Sequence, residues 1–249
     1  MLTDLIAKCL KHHDLPLTII FKLNYIVIDI IYTHFSNLST VTPKTLDNNI
    51  WIVDNFLPTQ IYNSVVQDIN KISNWELCDD DVTTRYETTK LFQSSVLQTL
   101  LLCMNSNYMC EWLNHHVGTK GLLPDPYLHG AGLCRTEQGS KLSLHCDFNW
   151  ANHISLNREI NAILYLTKTW QEDWNGDLQF WNNDRTECYK KLYPLPNRLI
   201  FWKYDKDLWH GMPDILANPK NNPRDQICIW YYKSNDLPKN NPQTSVSKS

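Results

Sequence analysis

No C-x-x-C pair occurs among the eight cysteines of this 249-residue chain (Cys9, Cys78, Cys103, Cys110, Cys134, Cys146, Cys188 and Cys228), and their spacing follows no regular framework. On spacing that excludes a zinc cage, and in a chain of this length it predicts reduced thiols in a cytoplasmic protein, several of them core residues. A basic stripe is also missing. Lys and Arg total 23 against 26 Asp and Glu, for a formal net charge of −3, so no nucleic-acid partner is expected. The most apolar early segment, Leu15 to Phe35, is interrupted by Lys22, Asn24 and Asp29. It falls short of the roughly 20 apolar residues a membrane span needs and lacks the regions of a signal peptide. It predicts a buried helix or strand covering the main domain, with no membrane partner. Internal repeats are absent as well.

What is present is apolar and aromatic: 43% hydrophobic residues, with 10 Trp and 12 Tyr. Ile50 to Val53 reads as a short strand, and Ile61, Val65, Ile69 and Ile72 recur at helical spacing. Ser94 to Leu113 reads as a second helix and Asn114 to Pro126 as a loop. From Pro126 on, the pattern changes to short runs rich in Leu, Ile, Val, Tyr and Trp between turn residues. These are Tyr127–Cys134, Lys141–Phe148, Ile160–Thr167, Asp177–Trp181, Cys188–Tyr193, Arg198–Tyr204 and Gln226–Lys233. Helices first and strands afterwards predict an α+β domain with a jelly-roll or sandwich core. The expected organisation is an N-terminal extension over 1–47, helical or mixed, packing on a domain over 48–235, with a disordered polar tail over 236–249.

Two H-x-D tripeptides stand out. His145 and Asp147 lie in a strand-like run, "LSLHCDFNW", where residues two apart share a face. They can take two adjacent positions on a metal while Cys146 faces away. His12 and Asp14 lie at a helix end before Pro16, a place for solvated caps, and that pair reads as coincidence. His210, at a His-Gly turn in "KDLWHGMPD", supplies a third ligand. Two histidines and a carboxylate on one face, with three positions open, make the facial triad of non-haem Fe(II) oxygenases. Arg224 opens the run "RDQICIWYY". An arginine at the start of an inward-facing strand needs an anion, either a carboxylate ligand held by its bidentate fork or one of the chain's Asp residues.

In order, "GAGLCRTEQGSKLSLHCDFNW", "INAILYLTKTWQEDWNGDLQFW", "PLPNRLIFWKYDKDLWHGMP" and "RDQICIWYY" resemble the prolyl 4-hydroxylase-like 2-oxoglutarate/Fe(II)-dependent dioxygenases. The resemblance runs from about Asn48 to Lys233 and is strongest from Gly130. It implies a double-stranded β-helix (jelly-roll) core with supporting N-terminal helices. It also implies Fe(II) with 2-oxoglutarate and O2 as co-substrates, ascorbate as a reductant, and hydroxylation of an unactivated C–H bond. Residue by residue, His145, Asp147 and His210 match the iron ligands, with no catalytic group beyond the iron site, and Arg224 matches the residue that pairs with the co-substrate's distal carboxylate. Tyr165 matches a tyrosine bonded to the same carboxylate, or is core. Cys228 stands where relatives place a small polar residue beside the co-substrate, and Trp230 walls the pocket or is core. Arg158 and Arg135 either bind substrate at the mouth or are solvated. The chain departs from the pattern at Asn175-Gly176, where Gly-Gly is usual, at Thr167, and in a longer stretch between His210 and Arg224.

The substrate stays open between a prolyl residue in a protein or peptide and a free amino acid or small biosynthetic intermediate. A non-catalytic jelly-roll binding module is the third reading. Ala151 to Asn157 reads as an insert that could serve as a lid.

Overall fold

The computed structural model describes residues 17–47, 49–80, 82–234 and 245–246. The apolar early segment forms helix α1 (Leu17–Ser36), in which Val27, Ile31 and Phe35 recur at helical spacing and are buried. A 3-10 turn over Leu38–Thr40 leads to strands β1 (Lys44–Asp47) and β2 (Ile50–Val53), an antiparallel hairpin. The boundary expected at residue 47/48 therefore falls inside a hairpin, and α1 shares the main core with the later helices and strands. His12 and Asp14 lie outside the described residues.

Helix α2 (Thr59–Ile69) buries Ile61, Val65 and Ile69. Strands β3 (Glu76–Asp79), mostly exposed, and β4 (Thr84–Thr88), mostly half-buried, come next, and both are rich in polar residues. The segment expected as one helix is two: α3 (Ser95–Met104) and α4 (Asn107–Val117). Asn105 ends α3 with its N–H on the Leu101 carbonyl, and the Ser106 hydroxyl donates to the Cys103 carbonyl, 2.6 Å. Side chains that bond nearby backbone in this way end helices that apolar periodicity alone would continue.

The remaining strands are β5 (Leu122–Pro124), β6 (Gly132–Thr136), β7 (Leu142–Cys146), β8 (Trp150–Ala151), β9 (Leu156–Tyr165), β10 (Leu178–Trp181), β11 (Cys188–Leu192), β12 (Leu199–Lys203), β13 (Trp209–Met212), β14 (Arg224–Lys233) and β15 (Ser245–Val246). They form two antiparallel sheets. The larger runs β1-β2-β12-β9-β14-β6-β4-β3, with β5 on β14 and β8 on β9; the smaller runs β11-β10-β13-β7-β15. This is the expected α+β jelly roll. Two residues of the tail expected to be disordered, Ser245 and Val246, pair with Cys146 and His145 of β7, and its other residues lie outside the described set.

The central strands of the larger sheet, β2, β12 and β9, are buried on both faces, which explains why they read as largely apolar runs. Trp51, Val53, Ile160, Ala162, Leu164, Leu199, Phe201, Ile227, Ile229 and Tyr231 face the helices, while Ile50, Ile52, Tyr165, Ile200 and Trp202 face the smaller sheet and meet Leu178, Phe180 and Leu192. Burying one such aliphatic side chain contributes about 1.5–3 kcal/mol, so the apolar clusters on the two faces hold the sheets and helices together. Along β14 the same alternation sends Arg224, Gln226, Cys228 and Trp230 inward.

Candidate metal and anion site

His145 sits on β7 and His210 on β13, directly opposite one another in the antiparallel register. His210 is in a strand, not at a turn, and the close approach of that strand is set by Gly211. A Cβ there would lie 2.8 Å from the Ser143 carbonyl oxygen and 2.9 Å from that of Leu142. Asp147 comes immediately after β7. One ligand atom from each of His145, Asp147 and His210 lies within 4.8 Å of the others, the one such cluster among the described residues.

The chemistry of the donors fits a metal. The Nδ1 atoms of His145 and His210 each sit 2.9 Å from a backbone carbonyl, of Ser143 and Leu208, which ties up Nδ1 and leaves each Nε2 free to coordinate. Nε2 of His210 is 3.3 Å from Oδ2 of Asp147, and Nε2 of His145 is 3.8 Å from Oδ1. Burial, reinforced by His210, pushes the His145 imidazole down to about 4, so it is neutral near pH 7. Burial alone would raise the Asp147 carboxyl, but Arg158, His210 and His145 outweigh it and hold the group below its ordinary value. A neutral imidazole at His145 and an ionised carboxylate at Asp147 are protonation states that suit a divalent cation.

Arg158 is buried. Its Nη2 lies 3.1 Å from Oδ1 of Asp147, and its guanidinium is stacked 4.0 Å from the Trp230 ring centroid and 4.6 Å from that of Phe148. Asn161, to which Arg158 also donates, donates in turn to Oδ2 of Asp147 at 2.8 Å. Arg158 thus spends its charge on the candidate ligand, and the solvated alternative for it is gone. Arg135 lies on the other face of the large sheet, bidentate to Asp225 at 2.7 and 2.9 Å and stacked on Trp75. The reading of Arg135 as a substrate residue is corrected: strand alternation turns it away from the interior that Arg224 faces.

Arg224 is nearly fully buried. Nε donates to the Gly176 carbonyl at 3.0 Å, Nη1 to Oε1 of Gln226 at 2.5 Å, and Nη2 to the Tyr165 hydroxyl at 3.0 Å. No carboxylate of the described residues forms an ion pair with it. The Asp partner left open by the sequence is therefore not found among the described residues, and a buried guanidinium held only by neutral groups has the chemistry to receive an anion. Gly176, from the departing Asn175-Gly176 pair, approaches so closely that a Cβ would lie 2.7 Å from Leu216 and from Trp170. Tyr165, fully buried, points its hydroxyl at Arg224. Cys228 accepts from Nε2 of Gln226 at 3.2 Å, and Trp230 meets Phe148 edge to face with its ring over Gly130.

Gln226, Asn161 and Phe148 went unnoticed in the sequence. Gln226 and Asn161 each lie an even number of residues from Arg224 and Tyr165 on the same strands, which is the signal that would have found them. The stretch read as a lid, Ala151 to Asn157, is a tight β8–β9 hairpin, with Trp150 paired to Asn157 and Ala151 to Leu156. The His153 ring on it is 2.8 Å from the buried Asp125 carboxylate. Among the described residues no helix is long and apolar enough to cross a membrane, and seven cysteines are free.

A two-sheet antiparallel jelly roll with this His-Asp-His cluster defines a class, and the comparisons agree with it. Residues 131–232 match the family model described as the 2OG-Fe(II) oxygenase superfamily. That match spans less than half of the chain, and the fold around it is similar to that of solved prolyl hydroxylases. It is similar to a prolyl-4-hydroxylase from Pseudomonas putida, at 14% identity over 82% of this chain and 100% of that one, with a TM-score of 0.55. It is also similar to a prolyl hydroxylase from Trichoplax adhaerens in complex with a hypoxia-inducible-factor peptide fragment, at 16% identity over 84% and 91% of the two chains, TM-score 0.52. Among curated proteins it matches mouse prolyl 3-hydroxylase OGFOD1, 29% identical over 79 residues, which is 30% of this chain and only 14% of that relative's length.

Proposed function

We propose that the chain is an Fe(II)- and 2-oxoglutarate-dependent hydroxylase acting on a prolyl residue of a protein or peptide. One observation carries the reading. Three metal-competent donors and a buried arginine with no carboxylate partner open into the same interior, between the two sheets. His145, Asp147 and His210 would hold the metal on one face, and Arg224 with Tyr165 would bind the distal carboxylate of 2-oxoglutarate. Bound there, the metal and co-substrate would supply the oxidising power to hydroxylate a C–H bond.

The protein's own groups do the rest. Asn161 and Arg158 fix the Asp147 carboxylate. Trp230 and Phe148 form an aromatic wall beside the metal donors that suits an uncharged prolyl ring and excludes water. A free amino acid would need a cation at the mouth for its α-carboxylate. Arg158, Arg135 and Arg85 are committed to Asp147, Asp225 and Glu87, which supports the peptide over the small molecule. The prolyl hydroxylases with the same fold, and the short match to a prolyl 3-hydroxylase, support the same substrate class. No charge-neutralising stripe that would suit a nucleic-acid partner is present in the composition.

Succinate release with Fe(II) and 2-oxoglutarate tests the reading. It is expected in the wild type, abolished by His145→Ala, and shifted to far higher 2-oxoglutarate concentrations by Arg224→Ala. Turnover surviving His145→Ala sinks the metal assignment. Proline-containing peptides that stimulate succinate release, with free amino acids failing to do so, support the substrate class, and the reverse overturns it.

A further inference from the structure

Two thiols on the inner face of the large sheet remain unused by this chemistry. β6 and β14 pair so that Gln226 faces Cys134 and Cys228 faces Gly132. Cys134 and Cys228 are therefore diagonal neighbours on one face, with no side chain at Gly132 to separate them. The Cys134 thiol donates to the carbonyl of Gly132, 3.8 Å, the residue that pairs with Cys228 across the ladder. Cys228 accepts from the Gln226 amide, 3.2 Å, and the same amide's oxygen holds Nη1 of Arg224 at 2.5 Å. The guanidinium of Arg85, from the adjacent strand β4, lies near enough to both sulfurs to act on their charge.

We propose that Cys134 and Cys228 form a peroxide-sensitive thiol pair whose oxidation to a disulfide loosens Arg224 and weakens its hold on a dicarboxylate co-substrate. The co-substrate half rests on the function proposed above; the crosslink does not.

Cys228 is the attacking thiol. The neighbouring Cys134 thiol comes first among the causes that hold it below its ordinary value, with Arg85, Arg224 and Gln226 adding to it against the opposing effect of burial. Burial instead pushes Cys103 up to about 11, and Cys110 and Cys146 up to about 12, which leaves them unreactive. The Cys228 thiolate attacks one oxygen of hydrogen peroxide and the O–O bond breaks. This gives a sulfenic acid and hydroxide, which takes a proton to become water. The Cys134 sulfur then attacks the sulfenic sulfur. The S–S bond forms, the S–O bond breaks, and the departing hydroxide leaves as water with the Cys134 proton. Two thiols lose two electrons and two protons, and one peroxide becomes two waters.

Closure has a structural consequence. Regular diagonal neighbours are about 7–8 Å apart at Cα, beyond the range a disulfide favours, so the bond draws β6 and β14 together at this point. The Cys228 sulfur moves toward β6 and away from Nε2 of Gln226. The Gln226 amide loses the partner that orients it, and Arg224 loses its fixed acceptor at Nη1.

The test uses the full chain loaded with Mn(II), which does not react with peroxide as iron does. Reduced and peroxide-treated protein are compared by peptide mapping under non-reducing conditions and by titration with 2-oxoglutarate. A Cys134–Cys228 crosslink is expected, with affinity falling about tenfold, the size of one lost hydrogen bond to a charged group, and returning on dithiothreitol treatment. Cys134→Ser is expected to bind 2-oxoglutarate like the reduced wild type and to ignore the same peroxide dose. Arg85→Met is expected to slow crosslinking. Absence of a mapped crosslink overturns the proposal, as does a crosslink that leaves affinity unchanged. If the reduced protein binds no 2-oxoglutarate, the proposed function and the coupling fail together, and the mapped crosslink alone decides the thiol pair.

Discussion

Arg158 and Asp147 meet inside the barrel, Nη2 to Oδ1 at 3.1 Å, with both side chains almost wholly removed from solvent. Leaving one partner of a buried pair alone costs about 3–5 kcal/mol, because the remaining charge stays desolvated. Arg158→Met keeps the stack between Trp230 and Phe148 and removes the charge. The metal-free variant is expected to lose about 3 kcal/mol of unfolding free energy. A divalent cation restores a positive partner to Asp147, so the gain in melting temperature on adding Co(II) should be larger in the variant than in the wild type. Equal destabilisation with and without Co(II) would show that Arg158 acts only by packing.

Gln226 gives a sharper test of the anion receptor than Arg224 itself. Gln226→Leu removes one acceptor from Nη1, and 2-oxoglutarate affinity is expected to fall about tenfold. Gln226→Glu places a carboxylate at the same atom, neutralises the guanidinium from within, and should cost more than about a hundredfold, since the ligand then meets a satisfied cation and a like charge. Co(II) affinity is expected to stay unchanged in both. Isothermal titration with each ligand separates the two effects, and a Glu variant that binds as well as the Leu variant refutes the electrostatic reading.

The inner row of the site was legible where strand alternation applied. His145 and Asp147 could be placed on one face from spacing and Arg224 at the start of an inward-facing strand, whereas Tyr165 was marked only by the family resemblance; the structure brings Arg224 and Tyr165 into contact. Partners supplied by distant strands were not legible. Nothing near Arg135 in the sequence points to Asp225, and nothing near Arg158 says that it turns in to Asp147 instead of out to a ligand. β3 and β4 were missed because their polar residues, at and next to the sheet edge, carry no apolar signal. The break between α3 and α4 was hidden because apolar residues continue at helical spacing through it, while a serine side chain closes the turn. β9 begins at Leu156, ahead of the expected Ile160, since the β8–β9 hairpin extends the ladder through polar residues.

Gly211 sets the distance between the two candidate histidine ligands. Its Cβ-equivalent position is bounded by two backbone oxygens of β7, which cannot swing away as a side chain can. Gly211→Ala must therefore push β13 off β7 and carry His210 away from His145. Overpacking of this kind costs about 1–3 kcal/mol. Co(II) affinity should fall along with stability, and the d–d absorption of bound Co(II) should change, because the ligand geometry itself is altered. A variant with lowered stability and an unaltered Co(II) spectrum would separate strand spacing from the metal site.

The metal-free protein should lose stability on acidification through a defined window. His145 titrates at about 4 in the fold, against about 6.5 in an unfolded chain. Between those values the unfolded state binds a proton that the folded state refuses, so stability rises with pH across the window and is lost as pH falls through it. A shift of this size corresponds to about 3 kcal/mol when complete. Asp147, held below its ordinary value, works in the same direction at lower pH, since its ionised form is the one the fold favours. Urea unfolding of the metal-free wild type and of His145→Gln at pH 6.5 and pH 4.5 isolates the histidine. The wild type should lose more stability than the variant between the two pH values. Adding Co(II) should steepen the wild-type dependence, because protons must leave the ligands before the metal binds. Parallel pH profiles for the two proteins would mean that His145 is not held neutral by its surroundings.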